Sequence, residues 1–173
     1  MPKIKDRMIL GVIAGLGGNA AKLLICALLK RAKWVESMGP ERAAGMLVSP
    51  HRVTQPEGRV VGFLADGVIA CMLGIATVYA LSIMGKDKAV IKGAIAGKMM
   101  WTTLYGMLGN LGATKIEPVS PKTVLSEFLG HTAFGVLTAC LAAGLGDPGL
   151  FDGRIPLGAS SFFISKKEGA ING

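Results

Sequence analysis

Charged residues are scarce in this chain. They account for 17% of its 173 residues, whereas hydrophobic residues account for 51%. A water-soluble domain of this length cannot enclose so much apolar surface in one core, because a small domain exposes most of its residues to solvent. The composition therefore argues against a soluble globular protein and favours an integral membrane protein.

Histidine and cysteine are also sparse, and they show no pattern typical of a catalytic or metal site. The two histidines and three cysteines are His51, His131, Cys26, Cys71 and Cys140. The cysteines lie in apolar stretches without metal-ligand spacing, so we expect neither a zinc site nor a disulfide framework. The run "GLGG" at 15–18 lies inside an apolar stretch rather than between a strand and a phosphate-binding helix. We expect no cofactor, no metal and no enzymatic activity.

Four apolar stretches are long enough to cross a bilayer, because each has the roughly 20 residues that span about 30 Å of hydrocarbon. They cover residues 8–29, 60–84, 89–111 and 124–145. The first is too long for the apolar part of a secretory signal and ends in "LLKRAKW", so we expect it to remain in the protein. The predicted fold class is all-α, a polytopic membrane protein with four transmembrane helices.

Short segments recur in the same order along the chain. The matches are "ILGVIAG" at 9–15 with "IKGAIAG" at 91–97, "VSPHRV" at 48–53 with "VSPKTV" at 119–124, and "FLAD" at 63–66 with "FLGH" at 128–131. Collinear matches favour duplication of a helix hairpin. Each copy contains two spans and returns the chain to its starting side, so we predict two parallel repeats related by an axis along the membrane normal.

The duplication defines the predicted domain organisation. Residues 1–146 form the transmembrane domain, with repeat one at about 5–84 and repeat two at about 86–145, and residues 147–173 form an irregular tail. The interfacial loop 30–58 contains a short helix at "GPERAAGML", before Pro56 and Gly58 interrupt the chain and the second span begins near Arg59.

The matched hexapeptides predict helix starts. Ser120 has a side chain suited to capping a helix, and the fixed φ of Pro121 suits its first turn, so the fourth span begins there. Ser49 and Pro50 begin a shorter helix in the same way.

Two glycine pairs with matched spacing predict close helix packing. Gly11 and Gly15 are four residues apart, as are Gly93 and Gly97. Such spacing lets two helix backbones approach each other in lipid. We expect the first and third spans to use the same face, and to meet each other on the repeat axis. The alternative is coincidence in a chain with 25 glycines.

Five ionisable residues inside the spans are candidates for function, because charge in hydrocarbon is costly. They are Lys22, Asp66, Lys98, Glu127 and His131. Lys22 and Asp66 lie about 10 Å below the same surface and are expected to pair. The repeat aligns Asp66 with His131, and Glu127 is one helical turn from His131, so we expect these three groups to converge and to relay protons. Alternatively, they only bond across helices or reach the head groups.

The net charge of +8 points to lipid rather than nucleic acid, because most basic residues flank apolar stretches, where anionic head groups attract them. The basic residues divide almost evenly between the two predicted sides, so they do not set the orientation. Four helices expose a large lateral surface, which favours a homo-oligomer or a membrane-protein partner.

The segments "GVIAGLGGNAAK" and "VSPKTVLSEFLGH", together with the four-span layout, resemble small bacterial membrane proteins of the YqhR and YagU-like kind. The resemblance covers residues 5–145 and implies a bacterial inner-membrane location. It implies no activity and no catalytic residue. From the residues themselves we expect an oligomeric channel or transporter-like protein for a small ion or proton. The alternative is a structural or assembly subunit of a membrane complex that transports nothing.

Overall fold

A computed structural model describes residues 3–109, 111–113, 120–153 and 155. Its helices are α1 (Arg7–Arg31), α2 (Gly39–Leu47), α3 (Pro56–Met84), α4 (Ala89–Trp101) and α5 (Pro121–Leu145). A π-helix, Thr102–Leu108, continues α4, and short 3₁₀ turns cover Pro50–Arg52 and Pro148–Leu150. The described residues contain no β-strand, so the predicted all-α class is confirmed for this part of the chain.

Three helices, α1, α3 and α5, are long and apolar enough to cross a membrane. The predicted third span differs from them, because it consists of 13 residues of α-helix followed by 7 residues of π-helix. The fourth crossing therefore stays a prediction. Many large apolar side chains on these helices point outward, including Ile9, Leu16, Leu24, Phe63, Val68, Met72, Ile95, Met99, Leu125 and Leu129.

The helices pack as two hairpins that meet through α1 and α5. In the first hairpin α1 lies against α3, and in the second α4 lies against α5. Each crossing is a backbone contact: Gly15 meets Gly74, and Gly97 meets Gly135. The expectation that the two glycine pairs meet each other is wrong, because each pair packs inside its own hairpin, where the partner helix also supplies a glycine. The duplication itself stays a prediction.

An apolar core fills one end of the bundle, which we call the terminal end because α1 begins and α5 finishes there. Its buried members are Leu10, Ala14, Val78, Leu81, Ala139, Ala142, Leu150 and Phe151. Arg7 is fully buried beside this core and donates hydrogen bonds from Nε to Ser82 Oγ at 2.9 Å and from Nη2 to the Leu150 carbonyl at 3.1 Å. The opposite end, where α1 finishes and α3 and α5 begin, is the loop end.

Two predicted boundaries at the loop end differ in outcome. The Ser120 hydroxyl accepts a hydrogen bond from Thr123 N and caps α5, as expected. Pro56 does not interrupt the chain, since α3 begins at Pro56 rather than near Arg59. Proline has no N–H to lose in a first helical turn, and its φ suits that position. Gly58 lies inside the same turn, where its missing side chain admits the Arg52 carbonyl.

The remaining boundary predictions concern the interfacial loop and the tail. Gly39–Leu47 is helical, as "GPERAAGML" predicts, with Glu41 in the first turn. Ser49 precedes the 3₁₀ turn but its side chain makes no capping bond. In the predicted tail, Pro148–Leu150 forms a 3₁₀ turn, and most residues after 153 lie outside the described part.

Candidate functional site inside the helix bundle

A buried ion pair joins α1 to α3. The Lys22 ammonium donates to Asp66 Oδ1 at 2.7 Å, and Asn19 Nδ2 donates to Asp66 Oδ2 at 2.9 Å. Asn19 and Lys22 reach the same carboxylate because residues three apart share one helix face. The Lys22 and Asp66 side chains are only 8% and 6% exposed. Both oxygens of Asp66 therefore have a donor, and its charge is compensated by an ammonium.

The first turn of α2 lies against this ion pair. A Cβ on Gly39 would lie 3.0 Å from Asp66 Oδ1 and 3.2 Å from Lys22 Nζ, so the glycine permits the approach. The positive end of a helix dipole stabilises a nearby carboxylate. Lys30 and Glu41 hold α2 to α1 by a second ion pair nearer the surface.

Glu127 and His131 lie one turn apart on α5. Glu127 is fully buried, and neither of its carboxyl oxygens has a hydrogen-bond partner among the described residues. His131 Nδ1 lies 2.8 Å from the main-chain carbonyl of Glu127 and 3.6 Å from its Oε2. The second distance is too long for a hydrogen bond but short enough for a strong electrostatic interaction if the imidazole is charged.

Tyr105 links α2, α4 and α5. Its ring lies 4.6 Å from the Arg42 guanidinium carbon and packs edge-to-face on the His131 ring, with 5.4 Å between centroids. Its phenol also adjoins the Glu127 carboxyl, although without the geometry of a hydrogen bond. Tyr105 belongs to the π-helix that continues α4, and short π segments in helices occur frequently at functional sites.

These contacts define a polar cluster near the loop end. Its members are Asn19, Lys22, Arg42, Asp66, Tyr105, Glu127 and His131. A cavity of about 50 Å³ adjoins it, and its polar lining consists of Lys22, Arg42, Asp66, Tyr105 and His131. A cavity of this size with several polar lining groups has room for water, which needs roughly 10–15 Å³ and several polar partners. Glu127 does not line the cavity, but Tyr105 and His131, which do, lie beside it.

The structure brings four of the five predicted intramembrane residues together. Lys22 and Asp66 pair as expected, and Glu127 and His131 lie beside them. Lys98 lies apart from the cluster: it is exposed on α4, with its ammonium 5.5 Å from the centre of the Phe128 ring.

The predicted alignment of Asp66 with His131 stays a prediction, and the glycine contacts favour a different register. The glycine contacts align Gly74 with Gly135, and Asp66 and Glu127 each stand eight residues before these glycines.

Three members of the polar cluster were not among the predicted site residues, namely Asn19, Arg42 and Tyr105. Asn19 precedes Lys22 by three residues, so its position on the same helix face was available as a signal. Arg42 lies in the predicted interfacial helix, and nothing in the sequence indicates that this helix packs against α3. Tyr105 depends on the π-helix, for which no sequence signal is evident.

Among the described residues, no group of three histidine, cysteine or acidic side chains is placed to hold a metal ion. Comparisons with protein-family models, curated proteins and solved structures give no match. The resemblance to the YqhR and YagU-like proteins, and the bacterial inner membrane it implies, therefore stay predictions. The geometry of the polar cluster is the basis for assigning a function.

Proposed function

We propose that the protein is a four-span membrane protein, acting as an oligomer, that transports protons or a small cation through the polar cluster. The observation that carries this proposal is Glu127, a fully buried carboxyl without a hydrogen-bond partner in the described structure and 3.6 Å from an imidazole. Ionisable groups inside a membrane bundle are costly and are typical of proton and ion pathways. A group that exists only to join helices would be expected to have its oxygens bonded.

The fourth span of the proposal is α4 with its π-helical continuation. Together they cover 89–108, with 13 and 7 residues, close to the roughly 20 residues that a crossing needs. Val90, Ile91, Ile95 and Met99 expose apolar side chains along this segment. Those side chains favour a lipid environment for α4 as well.

The position of the cluster favours a transporter over an open channel. Lys22 and Asp66 are nine and ten residues from the loop-side ends of α1 and α3. At 1.5 Å per residue, both lie about 14 Å from the loop-side end of their helix. The apolar core at the terminal end separates them from the other side. Protons or ions would therefore cross only after the helices at the terminal end move apart, as in alternating access.

The proposal is tested with purified protein in liposomes. We expect an imposed membrane potential to drive a proton flux that a pH-sensitive dye reports, and Asp66→Asn to reduce it, because the cluster loses the carboxylate that balances Lys22. Parallel assays measure the flux of sodium and of potassium in the same way. Glu57→Gln is the matched control, since Glu57 is exposed in the first turn of α3 and should leave the flux unchanged.

Absence of any proton, sodium or potassium flux from the wild-type protein would reject the proposal. Equal flux from Asp66→Asn and wild type would remove Asp66 from the pathway. Gel filtration of each variant in mild detergent shows whether a lost flux is merely lost folding.

A second candidate function, a structural subunit without transport, is favoured by the completed bonding of Asp66. Both its oxygens accept hydrogen bonds from α1, as expected for polar groups that hold two helices together in lipid. Under this hypothesis the wild type carries no flux, Asp66→Asn weakens the oligomer or the helix pair, and a membrane partner copurifies in fixed proportion. Normal assembly of the variant with no such partner would contradict it.

A further inference from the structure

The two hairpins place one carboxylate each at equivalent positions. In the first hairpin, Gly15 approaches the carbonyl of Ala70 and the backbone of Gly74; in the second, Gly97 approaches the carbonyl of His131, and Gly135 approaches Gly97. Asp66 and Glu127 each precede the contacting carbonyl by four residues. The two carboxylates therefore lie one helical turn closer to the loop end than the equivalent backbone contacts.

The groups that face these two carboxylates differ. Lys22 stands seven residues after Gly15, and the residue seven after Gly97 is Leu104. The π-helix holds more residues per turn than an α-helix, so the next residue, Tyr105, adjoins Glu127 instead. Asp66 thus faces an ammonium at 2.7 Å, whereas Glu127 faces a phenol.

We propose that Glu127 is the exchangeable proton-binding group of the cluster and that Asp66 is its fixed counterpart, bonded to the Lys22 ammonium. Burying an unpaired carboxylate is far more costly than burying a carboxylic acid, so the conformation described here favours Glu127 in its neutral form. Asp66 has no such need for a proton, because an ammonium and an amide already satisfy both of its oxygens. This inference rests on the proposed transport function and identifies the residue that binds the proton.

Groups from α1, α2, α3, α5 and the π-helix interact electrostatically with Glu127. Lys22 and Cys26 come from α1, Arg42 from α2, Asp66 from α3, Tyr105 from the π-helix and His131 from α5 itself. Lys22 is within electrostatic range of Glu127 while bonded to Asp66. Release of the proton from Glu127 towards the cavity, past Tyr105 or His131, leaves a carboxylate within electrostatic range of this ammonium, which stays bonded to Asp66.

Infrared spectroscopy of the whole protein in lipid nanodiscs tests the protonation directly. At neutral pH we expect the carbonyl band of a buried protonated carboxylic acid, lost in Glu127→Gln and retained in Asp66→Asn. Persistence of the band in Glu127→Gln, or its loss in Asp66→Asn only, would overturn the inference. Glu57→Gln is the control and should retain the band.

A second variant converts the environment of Glu127 into that of Asp66. Tyr105→Lys places an ammonium beside Glu127, so it should abolish both the infrared band and the proton flux, while Tyr105→Phe should retain the band. A band of undiminished intensity in folded Tyr105→Lys would contradict the proposal. If Tyr105→Lys does not fold, as judged by gel filtration, the isosteric Glu127→Gln decides the question alone.

The outcomes separate this inference from the transport proposal. Wild-type flux that Glu127→Gln retains in full would reject the role of Glu127 while transport stands. A Glu127-dependent infrared band in a protein that carries no flux would support the protonated state of Glu127 and reject transport.

Discussion

At the scale of single residues, the polar cluster contrasts a compensated carboxylate with an uncompensated one. Asp66 accepts from Lys22 and Asn19, whereas the oxygens of Glu127 have no bonded partner in the described part of the chain. Breaking a buried pair strands its remaining charge and costs about 3–5 kcal/mol, while removing both charges together costs much less. The stabilities of Lys22 and Asp66 variants should therefore be strongly coupled.

We predict that Lys22→Met destabilises the protein by about 3–5 kcal/mol, because it leaves the Asp66 charge unpaired. Asp66→Asn should also destabilise it, and the double variant should lie closer to wild type than the sum of the two changes. Reversible unfolding in mixed detergent micelles measures this double-mutant cycle. Additive effects of the two substitutions would mean that the ion pair contributes little in the folded protein.

Pairing of Lys22 with Asp66 was predictable from the sequence, because their similar depths in two consecutive spans follow from helix geometry alone. The approach of Arg42 to Tyr105 was not, since it depends on how α2 folds back onto α3 and on a π-helix. Local sequence determines the depth of a residue in a span, but contacts between distant segments depend on the packing of the whole bundle.

At the scale of helices, both hairpins depend on glycines whose backbones touch. Gly74 lies against Gly11 and Gly15, and a side chain there would collide with the backbone of α1. Gly67, on the same helix, has no atom within 4 Å of the position a Cβ would take. The two glycines provide a matched comparison within α3.

We predict that Gly74→Ala separates α1 from α3 and destabilises the protein, whereas Gly67→Ala is neutral or stabilising by up to ~1 kcal/mol because alanine favours the helix. Unfolding in detergent measures both, with Gly144→Ala as an equivalent open control on α5. A Gly74→Ala variant as stable as Gly67→Ala would show that the close contact is dispensable.

The helices themselves were largely predictable, since long apolar runs and the Ser120 and Pro121 start signals depend on local sequence. The glycine spacing correctly indicates close packing, but it does not name the partner helix. The partner helix is the one that supplies Gly74 or Gly135, and the role of these glycines is apparent only from the packing of the helices.

At the scale of the whole molecule, two hairpins enclose a polar cluster near the loop end and an apolar core at the terminal end. In the proposed four-span arrangement, the interfacial loop and the start of α5 lie on the same side of the membrane. The turn between α3 and α4, where Asp87 accepts a hydrogen bond from Lys92, lies on the other side. The Lys92 ammonium lowers the pKa of the exposed Asp87 carboxyl, so the ion pair between Lys92 and Asp87 should persist at neutral pH.

Cysteine accessibility in sealed vesicles tests the four-span arrangement most directly. In a background without native cysteines, a membrane-impermeant reagent should label His51→Cys and Lys122→Cys from the same side, and Asp87→Cys only from the other side. All three positions are exposed to solvent. Labelling of His51→Cys and Lys122→Cys from opposite sides, or recovery of the protein in the soluble fraction, would contradict the account.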